Sequence, residues 1–207
     1  MPENIEKSSR KPSARRALLG DVPQLRNGVP RYTRRAAGAI VMCGLVTACA
    51  PSQSPATDFT LTSPGVVDGA LNVDSTCDGA GTSPAIAWSN PPLGTTNYAV
   101  VMDHVPPEGG THWYWLEWGI PADIHSESAG DTNTGYLGGN SVTPEVGYTP
   151  PCSKGPGVKT YTITVYALSQ TPTLPAQSSA SVTRESLLTS ISAITLSKAT
   201  LDLTYSR

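Results

Sequence analysis

The decapeptide KTYTITVYAL, residues 159–168, alternates with period two: Tyr161, Ile163, Val165 and Ala167 fall on one face, Thr160, Thr162, Thr164 and Tyr166 on the other. Successive side chains of an extended strand point to opposite sides of a sheet, so this pattern predicts a strand with one core face and one more polar face. Five further runs share its β-branched and aromatic character: FTLTS, AIAWS, NYAVVMD, THWYWLEWGI and ATLDLTYS. Clusters rich in Gly, Pro and Asn separate them, and no helix of regular length stands between successive runs. Parallel strands need such crossovers, so the reading is an all-β-dominated chain folded as an antiparallel β-sandwich. One short helix is predicted near the C-terminus, in TRESLLTSISAITLS, where Leu187, Leu188, Ile191 and Ile194 recur at helical spacing. Thr183 suits its N-cap and Glu185 its electropositive first turn. A final strand follows, ending at Tyr205.

Charge divides the chain into unlike parts. Residues 1–35 carry nine basic and three acidic side chains, and removing these from the chain's 14 and 16 leaves 5 and 13, a net charge of −8 with His neutral. An acidic body argues against a nucleic-acid partner, so any anion it binds must be held by a local pocket. After the basic segment comes AAGAIVMCGLVTA, an uncharged run of the length of a signal-peptide apolar region, well short of the ~20 residues that span a bilayer. The run closes in LVTAC, Leu45 to Cys49, which resembles a bacterial lipobox, and the Pro/Ser/Thr-rich APSQSPATD follows. The expected organisation is a leader and lipoprotein signal peptide over 1–48, a flexible tether over 49–57 and a folded domain over 58–207. Cys49 is the expected lipidation site, and acyl chains on it would anchor the protein to a membrane on its extracytoplasmic side. With Cys43 removed and Cys49 acylated, Cys77 and Cys152 remain, and in an oxidising compartment they are expected to pair.

The stretch VMDHVPPEGGTHWYWLEWGIPADI, residues 101–124, holds three of the four Trp. In a regular strand His112, Tyr114, Leu116 and Trp118 would share one face and Trp113, Trp115 and Glu117 the other. Aromatics on both faces imply a strand buried on both sides or lining the edge of a pocket. Asp103, His104 and His112 match no compact metal-ligand motif. The chain also lacks a GxSxG elbow, a P-loop and HExxH, so no activated nucleophile, cofactor or metal is expected, and the protein reads as a binder, not an enzyme.

Several separated segments together resemble the phosphatidylethanolamine-binding protein family in its bacterial branch. CDGAGTSPAIAWSNPPLGTTNYAVVMD is similar to that family's opening segment, HWYWLEWGIPADI to its His-Trp strand ending in Ile-Pro, and GGNSVTPEVGYTPPCSKGPGVKTYTITVYAL to its Gly-Asn loop, GYxGPxPP loop and following strand. The similarity runs from about Phe59 to Tyr205. It implies a sandwich with a shallow pocket for an anionic group, formed by Asp103, His112 and Tyr148, with Pro106, Pro107, Asn140, Gly147 and Pro151 shaping the loops. The chain departs from the pattern at Val105, where the family has a second Asp, and at Lys159 and Thr160, where it has His-Arg. HWYWLEWGIP is also about two residues longer than usual. If the Ile-Pro end sets the register, Tyr114 takes the ligand position; if the His-Trp end sets it, His112 does and a bulge follows.

The functional expectation is therefore a membrane-anchored binding protein for a phosphate- or phospholipid-headgroup-like anion. For a zwitterion such as phosphoethanolamine, the phosphate would face His112 and Tyr148 and the amine Asp103. The alternative is an inhibitor-like protein docking a protease or kinase through the pocket and the 122–157 loop, with a hydrolase third.

Overall fold

The computed structural model describes residues 57–154 and 156–207. The leader, Cys49 and residues 49–56 of the tether lie outside the described residues. Eight strands and one α-helix follow in the order β1 (Thr60–Thr62), β2 (Ile86–Ser89), β3 (Asn97–His104), β4 (His112–Pro121), β5 (Ser126–Glu127), β6 (Tyr136–Leu137), β7 (Lys159–Leu168), α1 (Arg184–Ile191) and β8 (Thr195–Tyr205). They form a three-stranded sheet, β1-β2-β5, and a five-stranded sheet, β6-β4-β3-β7-β8. Every strand pair is antiparallel, as the absence of crossover helices predicted.

The central β3 is NYAVVMDH, apolar in both registers of its alternation, and both faces of the large sheet are covered. Tyr98, Val100 and Met102 pack with Ile86, Trp88 and Leu61 in the core between the sheets. Ala99 and Val101 pack with Leu187 and Ile191 of α1 in a second core on the opposite side. Burial of each large apolar side chain contributes about 1.5–3 kcal/mol, so this doubly covered sheet is the main source of stability. KTYTITVYAL keeps its predicted core face, with Tyr161, Ile163, Val165 and Ala167 all in the inter-sheet core. Its other face is less polar in effect than in composition, because Thr164 is buried and Tyr166 packs toward the helix.

Thr183 caps α1 as expected. Its hydroxyl accepts from the Ser186 N–H while the Ser186 hydroxyl accepts from the Thr183 N–H, a reciprocal capping box. The helix stops at Ile191, earlier than the spacing of Ile194 suggested, and β8 already begins at Thr195. β-branched Thr195 is the better strand residue, and its pairing with Leu168 adds a rung to the β7–β8 ladder.

The alternation expected for β4 is broken twice. Met102 pairs with Trp115 and Asp103 with Trp113, leaving Tyr114 as an extra residue; Tyr98 pairs with Ile120 and Ala99 with Trp118, leaving Gly119 as another. These two bulges accommodate the two additional residues of HWYWLEWGIP. They place His112, Tyr114, Trp115, Glu117 and Ile120 on the inter-sheet side, and Trp113, Leu116 and Trp118 on the helix side. Gly119 has φ +75°, and a Cβ there would lie 3.0 Å from the Tyr136 ring, so the second bulge requires glycine.

The bulges also aim a carboxyl into the core. Glu117 and Glu127, only 1% and 3% exposed, meet between the two sheets. Glu117 accepts from the Trp115 indole N–H at 3.1 Å, whereas neither Glu127 oxygen has a donor. A carboxylate only accepts, so a proton on Glu127 is what turns this contact into a hydrogen bond to Glu117. Burial raises both groups. Glu127 is pushed up to about 9 by burial, then by Glu117 and Asp131. Glu117 is pushed up to about 7 by burial, held back by the Trp115 and Gly135 N–H groups.

Candidate functional site

A cavity of about 1070 Å³ opens at the end of the large sheet where β3, β4 and β7 meet their connecting loops. Tyr114, Tyr161 and Thr149 line its deep, buried part. His104 and His112 stand beside them as directly opposed partners of β3 and β4. Exposed Lys154 and half-buried Lys159 add two cations to the wall, and Glu108 and Glu145 stand exposed at its edge. The Lys159 ammonium is tied back to the Lys154 carbonyl at 2.8 Å, which joins the two ends of the 154–159 loop.

The walls are held by backbone and covalent ties. The Thr149 N–H donates to the Tyr114 carbonyl at 2.8 Å, and the Cys77 N–H to the Pro151 carbonyl at 3.1 Å. The Cys77–Cys152 disulfide, predicted from the cysteine count, closes the same seam, with the Cα atoms 5.3 Å apart. On the other wall Asn140 folds the 140–145 turn. Its side-chain oxygen accepts from the Val142 and Thr143 N–H groups at 3.0 and 2.7 Å, and its amide donates to the Glu145 carbonyl at 3.1 Å. Asn140 thus acts on the cavity through Val142, Thr143 and Glu145, which line it, and does not line it itself.

The sequence-derived site residues part company here. His112, Tyr114 and Pro107 all line the cavity. The register choice between His112 and Tyr114 dissolves, because the two residues, two apart on β4, face the same side and both line the cavity; the bulge at Tyr114 instead brings Trp115 to that side as well. Tyr148 and buried Pro151 lie behind the lining. The Tyr148 hydroxyl donates to the Ser75 carbonyl, and its ring meets Trp115 edge-on at 6.2 Å. Burial, then the neighbouring Tyr161 and Tyr114, push its phenol far above the ordinary value. Tyr148 is thus a strut under the site, its donor already spent.

Asp103 departs furthest from expectation. β3 alternates without interruption, so Asp103 projects to the helix side with Ala99 and Val101. There its carboxylate accepts from the Arg184 guanidinium at 2.6 Å, with the side chains only 15% and 28% exposed. Arg184 opens α1, where the helix dipole disfavours a cation; the Asp103 carboxylate offsets that cost. The neighbouring His104 takes the cavity side. Its Nδ1 lies 2.7 Å from the Thr160 carbonyl and its ring 5.1 Å from that of Tyr161. Sequence reasoning passed over His104 as a ligand-facing residue. Counting alternation outward from Tyr98, Val100 and Met102 would have found it.

The phenols in the cavity are hydrogen-bond donors throughout the neutral range. Burial raises Tyr114, partly opposed by its hydrogen bond with Tyr161, and burial followed by Tyr114 and Tyr205 raises Tyr161 well beyond its ordinary value. Two phenols, two imidazoles and two ammonium groups thus converge on one space, an arrangement suited to receiving an anion.

Comparison with known proteins agrees with the architecture. A family model described as phosphatidylethanolamine-binding protein matches residues 62–206. A UPF0098 protein of Aquifex aeolicus (strain VF5) is 32% identical over 99 residues, 45% of this chain and 58% of that protein. The UPF0098 protein YbcL of Escherichia coli (strain K12) is 43% identical over 49 residues, 23% of this chain and 27% of that protein. These alignments span less than two thirds of either relative. The crystal structure of a phosphatidylethanolamine-binding protein homologue from Chlamydia trachomatis superposes with a TM-score of 0.65 at 25% identity, covering 72% of this chain and 97% of that one. The crystal structure of E. coli YbcL, described as a new member of the mammalian PEBP family, superposes with a TM-score of 0.63 at 22% identity, over 73% and 99% of the two chains, a likeness of fold.

Proposed function

The chain belongs to the phosphatidylethanolamine-binding protein family, and from that premise we propose that it is an exported, lipid-anchored binding protein whose cavity holds a small anionic group such as phosphate or a phospholipid headgroup. The observation that carries this reading is the convergence of His104, His112, Lys154, Lys159 and the Tyr114 and Tyr161 hydroxyls on one cavity in a domain whose net charge is −8. An anion must enter this domain against its net negative charge, and these local donors and cations are what would hold it there. The basic leader, short apolar run and LVTAC ending support export and acylation at Cys49. We read this as binding without turnover, since among the described residues no nucleophile–base pair accompanies these groups.

The test is an amide NMR titration of the chain carrying Cys49→Ser with inorganic phosphate. Shifts are expected to cluster on His104, His112, Tyr114, Thr149 and Tyr161. Saturating phosphate that leaves these amides unmoved would refute the anion-binding assignment. For the anchor, metabolic labelling with a radioactive fatty acid should mark the wild-type protein and not the Cys49→Ser form; equal labelling of both would refute it.

A further inference from the structure

Resting on the anion-binding reading, we propose that this cavity selects a purely anionic group, a phosphate, phosphomonoester or carboxylate, and rejects a zwitterion, with His104 as the specificity-determining residue in place of Asp103. Three independent observations lead to it.

The first is the direction of the β3 side chains. Asp103 is the acid expected to receive a ligand amine, yet its side chain lies on the helix side of the sheet and is bonded to Arg184 at 2.6 Å. It cannot reach the cavity without reversing the strand's alternation, which would expel Met102 and Val100 from the inter-sheet core.

The second is the preparation of His104. A carbonyl oxygen can only accept, so the 2.7 Å contact with Thr160 requires the imidazole proton on Nδ1. Nε2 is then the nitrogen left for a ligand, and a proton gained there makes it a charged donor. His112 stands directly across on β4. Two imidazoles at opposed positions repel one another when both are protonated, and an anion between them removes that repulsion while accepting from both.

The third is the absence of acid in the deep part of the cavity among the described residues. Its carboxylates, Glu108 and Glu145, are both at exposed positions of the edge, where water screens them. An ammonium attached to a phosphate bound in the deep part would instead be held near the less exposed His104 and Lys159. One like-charge contact at about 4 Å in a partly screened site is worth about a power of ten in affinity.

The experiment compares inorganic phosphate with phosphoethanolamine by NMR titration of the full chain carrying Cys49→Ser, wild-type otherwise and with His104→Asn or Asp103→Asn. Asparagine at 104 retains a donor for the Thr160 carbonyl but presents no second nitrogen to the cavity. Phosphate is expected to bind about tenfold more tightly than phosphoethanolamine. His104→Asn should weaken phosphate by about tenfold, and Asp103→Asn should change it by less than about twofold. Equal or tighter binding of phosphoethanolamine overturns the proposal while leaving the anion site standing. So does an Asp103→Asn loss as large as that of His104→Asn. If wild-type protein binds neither compound, both this inference and the reading beneath it fail. The comparison of the two ligands uses the unsubstituted cavity, so it decides the proposal even where a variant misfolds.

Discussion

Replacing Glu127 with Gln tests the buried carboxyl pair between the sheets. Both Glu117 and Glu127 have folded-state values above the ordinary 4.5, at about 7 and about 9. The folded protein therefore holds more protons than the unfolded chain between those limits, and the pair's contribution to stability falls as pH rises from about 4.5 to about 9. Each pH unit of that interval costs up to about 1.4 kcal/mol for a group that must stay protonated, so near pH 7.5 Glu127 costs up to about 4 kcal/mol. A glutamine side chain would be neutral at every pH, removing this cost, and would still offer Glu117 a donor. It also brings an amide proton with no acceptor among its present surroundings, which takes back about 1–2 kcal/mol. Urea unfolding followed by Trp fluorescence should show Glu127→Gln more stable than wild type by about 2 kcal/mol near pH 7.5 and less stable by about 1 kcal/mol near pH 4. The change of sign is the signature of a proton held in the native state. A stability difference that is the same at both pH values would refute it.

Asp103→Ala should cost about 1.5–3 kcal/mol through the loss of a charge-assisted hydrogen bond and the stranding of Arg184. In a double-mutant cycle most of that loss should vanish when Arg184 is already replaced by Ala; additive losses would contradict a direct pair. Gly119→Ala should destabilise by about 1–3 kcal/mol, because the bulge needs positive φ and the added methyl meets Tyr136; an unchanged midpoint in thermal denaturation would show that the bulge can relax. Reducing the Cys77–Cys152 disulfide removes no packing contact but frees a loop of 75 residues, and chain entropy sets an upper figure of about 4 kcal/mol for the loss, read from denaturation with and without reductant. Unchanged midpoints would place the bond outside the cooperative unit.

Much of the architecture was legible in local chemistry. The period-two run of β7, the continuous apolar run of β3, turn clusters between runs, and a Thr-capped apolar helix are properties of short segments, and each stands where its pattern placed it. β5 and β6 were not legible, because two-residue strands inside a Pro/Gly-rich stretch carry no period; they exist only because β2 and β4 offer them a free edge. The site was legible in location and less so in its members. His112, Tyr114 and Pro107 reach the cavity, but a bulge count was needed to see that Trp115 shares the Tyr114 side of β4. Asp103 and Tyr148 follow from position in a motif, and position along a strand does not say which face a side chain takes once partners are in place.

The amino-acid sequence by itself determined the antiparallel class, the helix and its cap, the cysteine pair and the contrast between a basic N-terminal segment and an acidic remainder, because strand periodicity, capping, cysteine number and charge are all local or additive. Only the tertiary structure decided that Asp103 serves Arg184 while His104 serves the cavity, and that two glutamates meet in the core. Those outcomes depend on which strand absorbs an extra residue and on what packs against each face, and both are settled by contacts between segments far apart in the chain.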